Sequence, residues 1–442
     1  MDNLGLYLPS DFIDEIREIL GDETDKFIES YGGERYVALR RNPLKSTYED
    51  FVARMPFALE KSELAPDGFY YNPEERPGRH PLHEAGAYYI QEPSAMSVGT
   101  FLSPEPGDYV LDLCAAPGGK STQLAGNLLG EGLLVSNEII KDRARILSSN
   151  IERMGVRNAL VLNETSDSLA KAFPNFFDKI LVDAPCSGEG MFRKEENALA
   201  EWSLENVRMC HDRQLEILDN AAKMLRMGGK LVYSTCTFNK LENEGTVEKF
   251  LANHPEFKLI MSKRFWPHEI KGEGHFAAVL VKEGALAKRQ ETGTLVDKST
   301  EKLTNEVRDF LLTEIHVKKE VVDKLFKNRR LVTFGENVYL LPEGIKSLGN
   351  LRVERPGLHI AVIKKNRFEP SHSLALALNL QDVENAHEIN DEEAQKVIRG
   401  ETLNTDPSRK GWLLLATRGF SIAFGKASSG VIKNHYPKGL RK

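Results

Sequence analysis

Two cysteines stand where predicted strands end, Cys186 in VDAPCSGEG and Cys236 in YSTCTFN. A thiolate can add covalently to an electron-poor ring, and a second thiol nearby can take up a proton, provided that local charge lowers the pKa concerned. A lone cysteine is usually a small buried hydrophobe without reactivity. Two cysteines in the same kind of position, beside the ligand loop described next, indicate a two-thiol active site instead.

A glycine-rich turn joins the first predicted strand to a helix, in LDLCAAPGGKSTQLA at 111–125. In an open parallel sheet, ligands bind beyond the carboxyl ends of the strands, where Gly118 and Gly119 would let backbone amides approach an anionic group. The turn is not a phosphate-binding loop, because Cys114 occupies the place of the first glycine in GxxxxGK[ST], and GxGxxG is also missing. S-adenosyl-L-methionine is the remaining common ligand of such a turn.

Charged residues follow the other predicted strands. Glu138 ends the second strand and lies 19 residues after Gly119, the position from which a carboxylate binds ribose hydroxyls. Asp183 ends the fourth strand, where its carboxylate faces the cofactor or the edge of a base, or else caps a helix. Arg143 lies on the polar side of the next helix and is expected to contact cofactor or solvent.

Predicted strands alternate with predicted helices from about residue 107 onward, which indicates a doubly wound parallel sheet. The strands are 109–113, 133–137, 159–162, 179–183, 230–235 and 276–282. The helix between the second and third strands has one apolar face, formed by Ile140, Ala144, Leu147, Ile151 and Met154. Gly228 and Gly229 are predicted to form the turn before the fifth strand. A further helix is predicted over residues 9–21.

Size and composition restrict the class of protein. A chain of 442 residues exceeds the size of a single core, so several domains are expected. The four cysteines, at 114, 186, 210 and 236, form no CxxC pair and stand beside no histidine cluster. This argues against a structural metal and for reduced thiols in the cytoplasm. No run of 18 apolar residues occurs, so neither secretion nor membrane spanning is expected.

The net charge of −6 gives no global attraction for nucleic acid, so any such binding must use local basic patches. One candidate patch near the start consists of Arg35, Arg40, Arg41 and Lys45. A second candidate patch near the end consists of Lys433, His435, Lys438, Arg441 and Lys442. Each is either a phosphate-binding surface or an ordinary solvated face.

Four ordered motifs carry a family resemblance: CAAPGGKS, NE at 137–138, DAPCSGEG and STCTFNKLENE. Together, over about residues 90–250, they resemble the Nop/Sun family of RNA cytosine carbon-5 methyltransferases. The leading segment, with RRNPLK and YYIQEPSAM, and a trailing module that resembles a PUA domain make the layout similar to the RsmF branch of that family, which modifies 16S ribosomal RNA.

The resemblance implies a role for each motif residue. Cys236 would be the nucleophile, Cys186 would promote proton loss from carbon 5, and Asp183 would protonate or hydrogen-bond N3 of the base. The cofactor-binding residues would be Cys114, Ala115, Ala116, Pro117, Gly118, Gly119, Lys120, Glu138, Arg143 and Asp183. One position departs from the family: Thr165 stands where relatives carry an aspartate near the adenine. Asn163 and Glu164 are the alternative contacts there.

The resulting prediction is an α/β protein built around a Rossmann-like methyltransferase domain at 91–285. An N-terminal RNA-binding α/β region at 1–90 precedes it. A linker at 286–305 and an α+β region at 306–442, ending in the PUA-like module, follow it. The implied partner is 16S ribosomal RNA or the small ribosomal subunit, met by a cytoplasmic monomer without membrane contact. The alternatives are a transfer RNA methyltransferase, a non-catalytic assembly factor and a nucleotide hydrolase that uses the GGKS turn.

Overall fold

The computed structural model describes residues 8–194, 196–285, 289, 300–365 and 367–442. Most of the predicted linker, 286–305, lies outside these described residues. Its last residues do not form a linker, because a helix begins at Glu301. Within the described ranges, no helix is both long enough and apolar enough to cross a bilayer.

The N-terminal region consists of two helices followed by a four-stranded antiparallel sheet in the order β2-β3-β1-β4. The helix predicted over 9–21 is confirmed, and it ends before Gly21, whose φ of 54° is in the left-handed region. The elements are α1 (Ser10–Leu20), α2 (Thr24–Ser30), β1 (Ala38–Arg41), α3 (Tyr48–Arg54), β2 (Leu59–Lys61), β3 (Gly68–Tyr71), α4 (Pro81–Glu84) and β4 (Tyr88–Ile90).

The central region contains the predicted doubly wound sheet. Its elements are α5 (Pro93–Leu102), β5 (Tyr109–Asp112), α6 (Gly119–Leu128), β6 (Leu133–Asn137), α7 (Lys141–Arg153), β7 (Ala159–Leu162), α8 (Ser166–Ala172), β8 (Phe177–Asp183), α9 (Glu196–Glu201), α10 (Leu204–Met224), β9 (Leu225–Thr235), α11 (Thr246–Asn253), β10 (Phe257–Phe265) and β11 (His275–Lys282). Five strands run parallel in the order β9-β8-β5-β6-β7. The fold class is therefore confirmed.

The parallel strands are buried on both faces, as expected when helices cover both sides of a sheet. Leu111, Val135 and Ile180 pack into the core on one face. Their neighbours in sequence, such as Val110 and Leu134, pack into the core on the other. The carboxyl ends of these strands consequently meet at one rim, where loops can form a site.

Two details of the predicted helices and turns are wrong. Ile140 precedes helix α7 and is 52 % exposed, so it does not belong to the apolar face formed by Ala144, Leu147 and Ile151. Gly228 and Gly229 lie within strand β9, at an irregularity in its pairing with β8, and form no separate turn. A Cβ at 229 would lie 2.8 Å from the backbone oxygen of Asp178. The close approach of β8 therefore accounts for that glycine.

The C-terminal region contributes two further sheets, in the orders β12-β13-β15-β16 and β17-β19-β20-β21-β18. Its elements are α12 (Glu301–Thr313), α13 (Lys319–Phe326), β12 (Arg330–Phe334), β13 (Asn337–Leu341), β14 (Val353–Arg355), β15 (Leu358–Lys364), β16 (Arg367–Pro370), α14 (His372–Ala377), β17 (Ala386–Ile389), α15 (Asp391–Arg399), β18 (Leu403–Asn404), β19 (Gly411–Thr417), β20 (Phe420–Ser428) and β21 (Val431–Asn434). Strand β14 leaves this region and pairs antiparallel with β7, which adds an edge strand to the central sheet.

The N-terminal sheet and the last sheet share one hydrophobic core. Phe51 on α3 and Tyr88 on β4 pack in the same cluster as Leu415 and Ile432 of the last sheet and Tyr436, which follows it. The hydroxyl of Tyr436 also donates to Glu84, at 3.1 Å. The N-terminal sheet region and the C-terminal region thus pack together beside the central domain.

Candidate active site

The two cysteines predicted to react lie side by side. Cys186 follows β8 and Cys236 follows β9, and because these strands are parallel neighbours, the two loops meet at the same rim. The Sγ atoms are 3.4 Å apart, and both residues are partly buried. The two thiols therefore form one site.

Three hydrogen bonds hold the two cysteine loops together. The Ser187 and Thr237 hydroxyls are 2.8 Å apart, and the Gly190 amide donates to the Cys236 carbonyl at 2.8 Å. The Ser187 amide donates to the buried Glu242 carboxylate at 3.0 Å. Sequence reasoning did not single out Glu242, although it lies in the NKLENE segment, because nothing in its spacing shows that it turns inward.

The surroundings of Cys186 oppose the ionisation of its thiol. The hydrogen bond with Cys236, together with burial and the charge on Cys236, raises the pKa of Cys186 well above its usual range. The thiolate is the reactive form of cysteine, and the assignment of the nucleophile to Cys236 stays a prediction.

Asp183 lies at the rim, held by three neighbours. One carboxylate oxygen is 2.7 Å from Lys120 Nζ, and the other accepts from the Ser234 hydroxyl at 2.7 Å and lies 3.5 Å from His275 Nε2. Burial alone would raise the pKa of Asp183, but Lys120 and His275 together lower it well below its usual range. The carboxylate is therefore held ionised in the free protein, and its role of protonating or hydrogen-bonding N3 of the base stays a prediction.

Two cavities meet at Cys236. The larger, of about 880 Å³, extends from both cysteines to Glu138, Arg143 and Thr165 at the ends of β6 and β7. The smaller, of about 340 Å³, is lined by Tyr89, Lys120 and His275. Cys114, Ala116, Asp183, Met191 and Cys236 line both cavities. The larger cavity has the size of a cofactor site, and the smaller one adjoins it at the nucleophile.

The larger cavity fits S-adenosyl-L-methionine. The side chain of Glu138 is only 5 % exposed, and its two oxygens are placed by the Ile140 amide at 2.9 Å and by Arg143 at 3.6 Å. A buried carboxylate at this strand end suits a ribose diol. Arg143 also donates to the Ala116 carbonyl at 3.0 Å. It therefore braces the cofactor loop, although its side chain is half exposed.

The predicted cofactor loop lies at the junction of the two cavities, and its cofactor-binding role stays a prediction. Its residues Cys114, Ala115, Ala116, Pro117, Gly119 and Lys120 line the smaller cavity, and of these Cys114 and Ala116 also line the larger one. Gly118 instead faces helix α7, where a Cβ would lie 3.1 Å from Leu147, and its φ of 114° makes the turn possible. Lys120 pairs with Asp183, so its charge serves that carboxylate.

The three residues predicted as alternative contacts of the adenine have different partners in the structure. The side-chain amide of Asn163 donates to the carbonyls of Glu138 and Ile139, so it holds the chain beside the ribose site. The Thr165 hydroxyl caps helix α8 by accepting from the Ser168 amide at 3.2 Å. Glu164 lines the larger cavity with a buried carboxylate.

Sequence reasoning missed two buried polar residues at the site and gave a third, Arg40, the wrong role. Asp112 ends β5, and its Oδ2 accepts from Ser121 at 2.6 Å. Its Oδ1 has no hydrogen-bond partner among the described residues. Burial raises the pKa of Asp112 to about 7. His275 Nε2 likewise makes no hydrogen bond within the described part of the chain, and burial lowers the pKa of this ring. A carboxylate directly before the glycine turn was the available signal for Asp112.

The predicted N-terminal basic patch is wrong, because two of its members are buried. Arg40 is 2 % exposed and donates to the Gly119 carbonyl and the Thr122 hydroxyl, each at 2.8 Å, so it supports the cofactor loop. Lys45 reaches Ser421, and burial lowers its pKa to about 7. Arg41 pairs with Asp67 at 2.6 Å. Only Arg35 keeps a half-exposed side chain.

Two aromatic residues near the cysteines, Phe192 and Tyr89, have different surroundings. Phe192 is 2 % exposed and packs against Phe12 and Trp202, so it belongs to the core. Tyr89 is buried as well, but its ring lines the smaller cavity. Arg153 and Arg40 lie over that ring, at 5.4 and 5.6 Å from its centroid.

A doubly wound sheet with a nucleoside-sized cavity at its carboxyl rim is typical of S-adenosylmethionine-dependent methyltransferases, and the family models place this enzyme in that class. Four family models match the chain in order. They are 16S rRNA methyltransferase RsmB/F over residues 99–281, the N-terminal domain of 16S rRNA methyltransferase RsmF over 8–93, the RsmF rRNA methyltransferase first C-terminal domain over 317–378 and the methyltransferase RsmF PUA domain over 384–442. The chain belongs to the RsmF family of 16S rRNA methyltransferases.

Relatives of similar length support this assignment. The chain is 30 % identical to ribosomal RNA small subunit methyltransferase F of Vibrio parahaemolyticus, over 98 % of both chains. It is 31 % identical to the protein of that name in Shewanella oneidensis, over 95 % of this chain and 93 % of the relative. Among solved structures, a methyltransferase homolog protein from Pyrococcus horikoshii superposes with a TM-score of 0.57 at 28 % identity, over 63 % of this chain and 96 % of that one.

Proposed function

We propose that this protein methylates carbon 5 of a cytosine in 16S ribosomal RNA and that Cys236 is the nucleophile. The observation that carries the proposal is the 3.4 Å separation of the Cys186 and Cys236 sulfurs at the point where the two cavities meet. A second thiol has no use in direct methyl transfer to a nitrogen or oxygen. A second thiol is useful when a covalent adduct between enzyme and base must be released.

The chemistry follows from the low nucleophilicity of carbon 5 in cytosine. The Cys236 thiolate adds to carbon 6, and the electron pair of the 5,6 double bond moves toward carbon 5. S-adenosyl-L-methionine, when bound, supplies the methyl group that carbon 5 takes. The ionised Asp183 accepts a hydrogen bond from the polar edge of the base, which keeps the ring oriented.

Cys186 then removes the proton from carbon 5. As that electron pair restores the 5,6 double bond, the bond between carbon 6 and Cys236 breaks and the thiolate leaves. The influence of Cys236 on Cys186 explains why proton removal follows adduct formation. The hydrogen bond and charge of Cys236 raise the pKa of Cys186, and adduct formation removes both. Because its pKa then falls, Cys186 can pass its own proton to solvent, and the resulting thiolate accepts the proton from carbon 5.

The smaller cavity is the proposed site of the target base. Its volume of about 340 Å³, its closeness to Cys236 and its polar wall of Asp183 and Lys120 suit a single pyrimidine ring. A base can enter only after leaving its stack, so the RNA must offer a loop or be remodelled on binding. We place the reaction in the cytoplasm, where the free thiols persist, and expect the protein to act as a monomer.

Transfer of tritium from labelled cofactor tests the proposal. The substrates are naked 16S RNA, assembled small subunits and transfer RNA, with Cys236→Ala as the matched inactive control. We expect label in 16S RNA or in small subunits, mapped to carbon 5 of cytosine. Label confined to transfer RNA would favour the alternative substrate. Cofactor binding without any transfer would indicate a non-catalytic assembly factor.

A further inference from the structure

The C-terminal region reaches the cofactor cavity through one short strand. β14 pairs antiparallel with β7, with Val353 opposite Leu162, and the Asn163 amide donates to the Arg352 carbonyl at 2.9 Å. Strand β7 is the element from which Glu164 enters the cavity wall. The backbone around Glu164 is therefore held by residues far away in sequence.

Arg352 holds the Glu164 carboxylate at three points. Its backbone amide donates to Oε1 at 2.7 Å, its Nε lies 3.4 Å from the same oxygen, and its Nη2 lies 3.1 Å from Oε2. An ionised carboxylate offers about four acceptor positions. Oε1 accepts two hydrogen bonds from Arg352 and Oε2 accepts one, so Oε2 is the oxygen with more room for a ligand; the Thr165 amide also stabilises the charge. Burial opposes ionisation, yet the hydrogen bonds from Arg352 outweigh it and lower the pKa of Glu164.

The geometry of the rim assigns the adenine to this end of the cavity. Glu138 at the end of β6 takes the ribose, the cysteine loops lie beyond β8 and β9, and β7 is the neighbour of β6 on the opposite side. The base attached to that ribose therefore falls beside β7. Ile139 and Ile140, 60 % and 52 % exposed, line the same end and offer an apolar wall for a ring.

We propose that the C-terminal region forms part of the cofactor site: Arg352 and strand β14 position Glu164 as the acceptor for the exocyclic amino group of adenine. Arg352 is a positioning residue, since it acts through Glu164. Two further contacts strengthen the junction. Arg355 pairs with Glu152 on helix α7 and donates to Ser148 at 3.1 Å, while Arg157 donates to the Ala377 carbonyl at 2.7 Å.

The inference rests on the proposed placement of S-adenosyl-L-methionine, so the test uses ligand binding by the full chain instead of turnover. Two ligands are titrated calorimetrically: S-adenosylhomocysteine and S-inosylhomocysteine, in which a carbonyl oxygen replaces the amino group. The wild-type protein should prefer the adenine ligand by roughly 10- to 100-fold, because a hydrogen bond to a charged group is lost with hypoxanthine.

Arg352→Ala should weaken S-adenosylhomocysteine about 10-fold and reduce the preference for adenine, while S-inosylhomocysteine changes little. Arg367→Ala is the matched control: it lies in the same region, is 66 % exposed and pairs with Glu369, as Arg352, 59 % exposed, pairs with Glu164. It should change neither affinity. Thermal unfolding of each variant reports whether the fold is intact.

A double variant protects the test against a local loss of structure. If Arg352 acts through Glu164, adding Arg352→Ala to Glu164→Ala should cost no further affinity. Additive losses, or equal weakening of both ligands by Arg352→Ala, would overturn the positioning role. Glu138→Ala separates the two levels: it should weaken both ligands equally. If it weakens neither, the placement of the cofactor and this inference fail together.

Discussion

Lys120 Nζ lies 2.7 Å from a carboxylate oxygen of Asp183, and this ion pair joins the cofactor loop to the loop that carries Cys186. Lys120 lies in the first turn of helix α6, which follows the glycine-rich turn after β5, and Asp183 ends the neighbouring strand β8. Both side chains are less than one-third exposed, so solvent screens the pair weakly. The pair fixes both the charge and the direction of the Asp183 carboxylate.

Asp183→Asn should therefore be more damaging than its small change in shape suggests. The variant leaves the Lys120 ammonium buried without its partner, which costs about 3 kcal/mol of the free energy of unfolding. It also replaces a fixed acceptor at the target base, so the single-turnover rate of methyl transfer should fall about 10²-fold or more. Denaturant unfolding and single-turnover transfer measure the two effects.

Ser234→Ala is the matched control for that change, because it removes one hydrogen bond to the same carboxylate and keeps the charge. It should cost only about 1 kcal/mol in stability. An Asp183→Asn variant that turns over at the rate of Ser234→Ala would show that the carboxylate does not orient the base.

The roles of the two thiols predict different outcomes on denaturing gels. Cys236→Ala should abolish methyl transfer and form no RNA adduct, because the nucleophile is gone. Cys186→Ala should accumulate a covalent protein–RNA species, since losing a general base slows the release step by about 10²- to 10⁴-fold. Cys210→Ala, which changes a buried thiol beside Asn206 on α10, is the control and should behave as wild type. Trapping by Cys236→Ala alone would reverse the assigned roles.

Asp112 predicts a pH dependence of stability. Its ordinary pKa of 3.8 rises to about 7 in the folded state because it is buried. Between these values the folded state holds a proton that the unfolded state has released, so its contribution to stability is complete below about pH 4 and is lost as the pH rises toward 7. The Asp112→Asn variant has no titratable group at this position, so it shows no such change with pH. The stability of wild type relative to the variant should thus fall by up to about 1.4 kcal/mol per pH unit in that range.

Urea unfolding of both proteins at pH 5 and pH 7, without ligand, measures that difference. Asp142→Asn, which alters a carboxylate that is 86 % exposed on α7, should show no comparable change with pH. A constant difference between wild type and Asp112→Asn at the two pH values would mean that Asp112 is ionised in the folded state.

The second basic patch keeps exposed cations and predicts a salt effect. Lys433 and Lys438 are exposed near the end of the chain. If both contact phosphates, Lys433→Gln with Lys438→Gln should reduce the slope of log affinity for RNA against log salt by about 1.5. Lys302→Gln, an exposed change on α12, is the control. Truncation is unsuitable, because Tyr436 lies in the core, and an unchanged slope would remove the patch from the interface.

The sequence predicts the central sheet well because each strand and each helix carries its own period of apolar residues. It also predicts that Cys186 and Cys236 meet, since parallel strands deliver their loops to one rim. It misplaces Ile140, because an apolar residue that faces a ligand cavity looks the same as one that faces the core. Apolar periodicity predicts that a residue is buried, but it does not distinguish burial in the protein core from burial by a ligand.

Long-range polar contacts are the part that local patterns do not contain. Arg352 meets Glu164 across 188 positions, through a strand of three residues that is too short to show a period. Arg40 turns inward to the Gly119 carbonyl from a four-residue strand, which is too short to show which side chains face the interior. Its positive charge alone suggested an exposed position. In both cases the partner, and not the residue type, decides the role.

The core shared by the N-terminal sheet region and the C-terminal region has a consequence for biosynthesis. Phe51 and Tyr88 bury their rings against Leu415 and Ile432, which leave the ribosome long after them. The central sheet can close as soon as its own strands have been synthesised, whereas the N-terminal sheet must wait with an open apolar face. Nascent chains of this enzyme should therefore need protection from aggregation until the last sheet emerges.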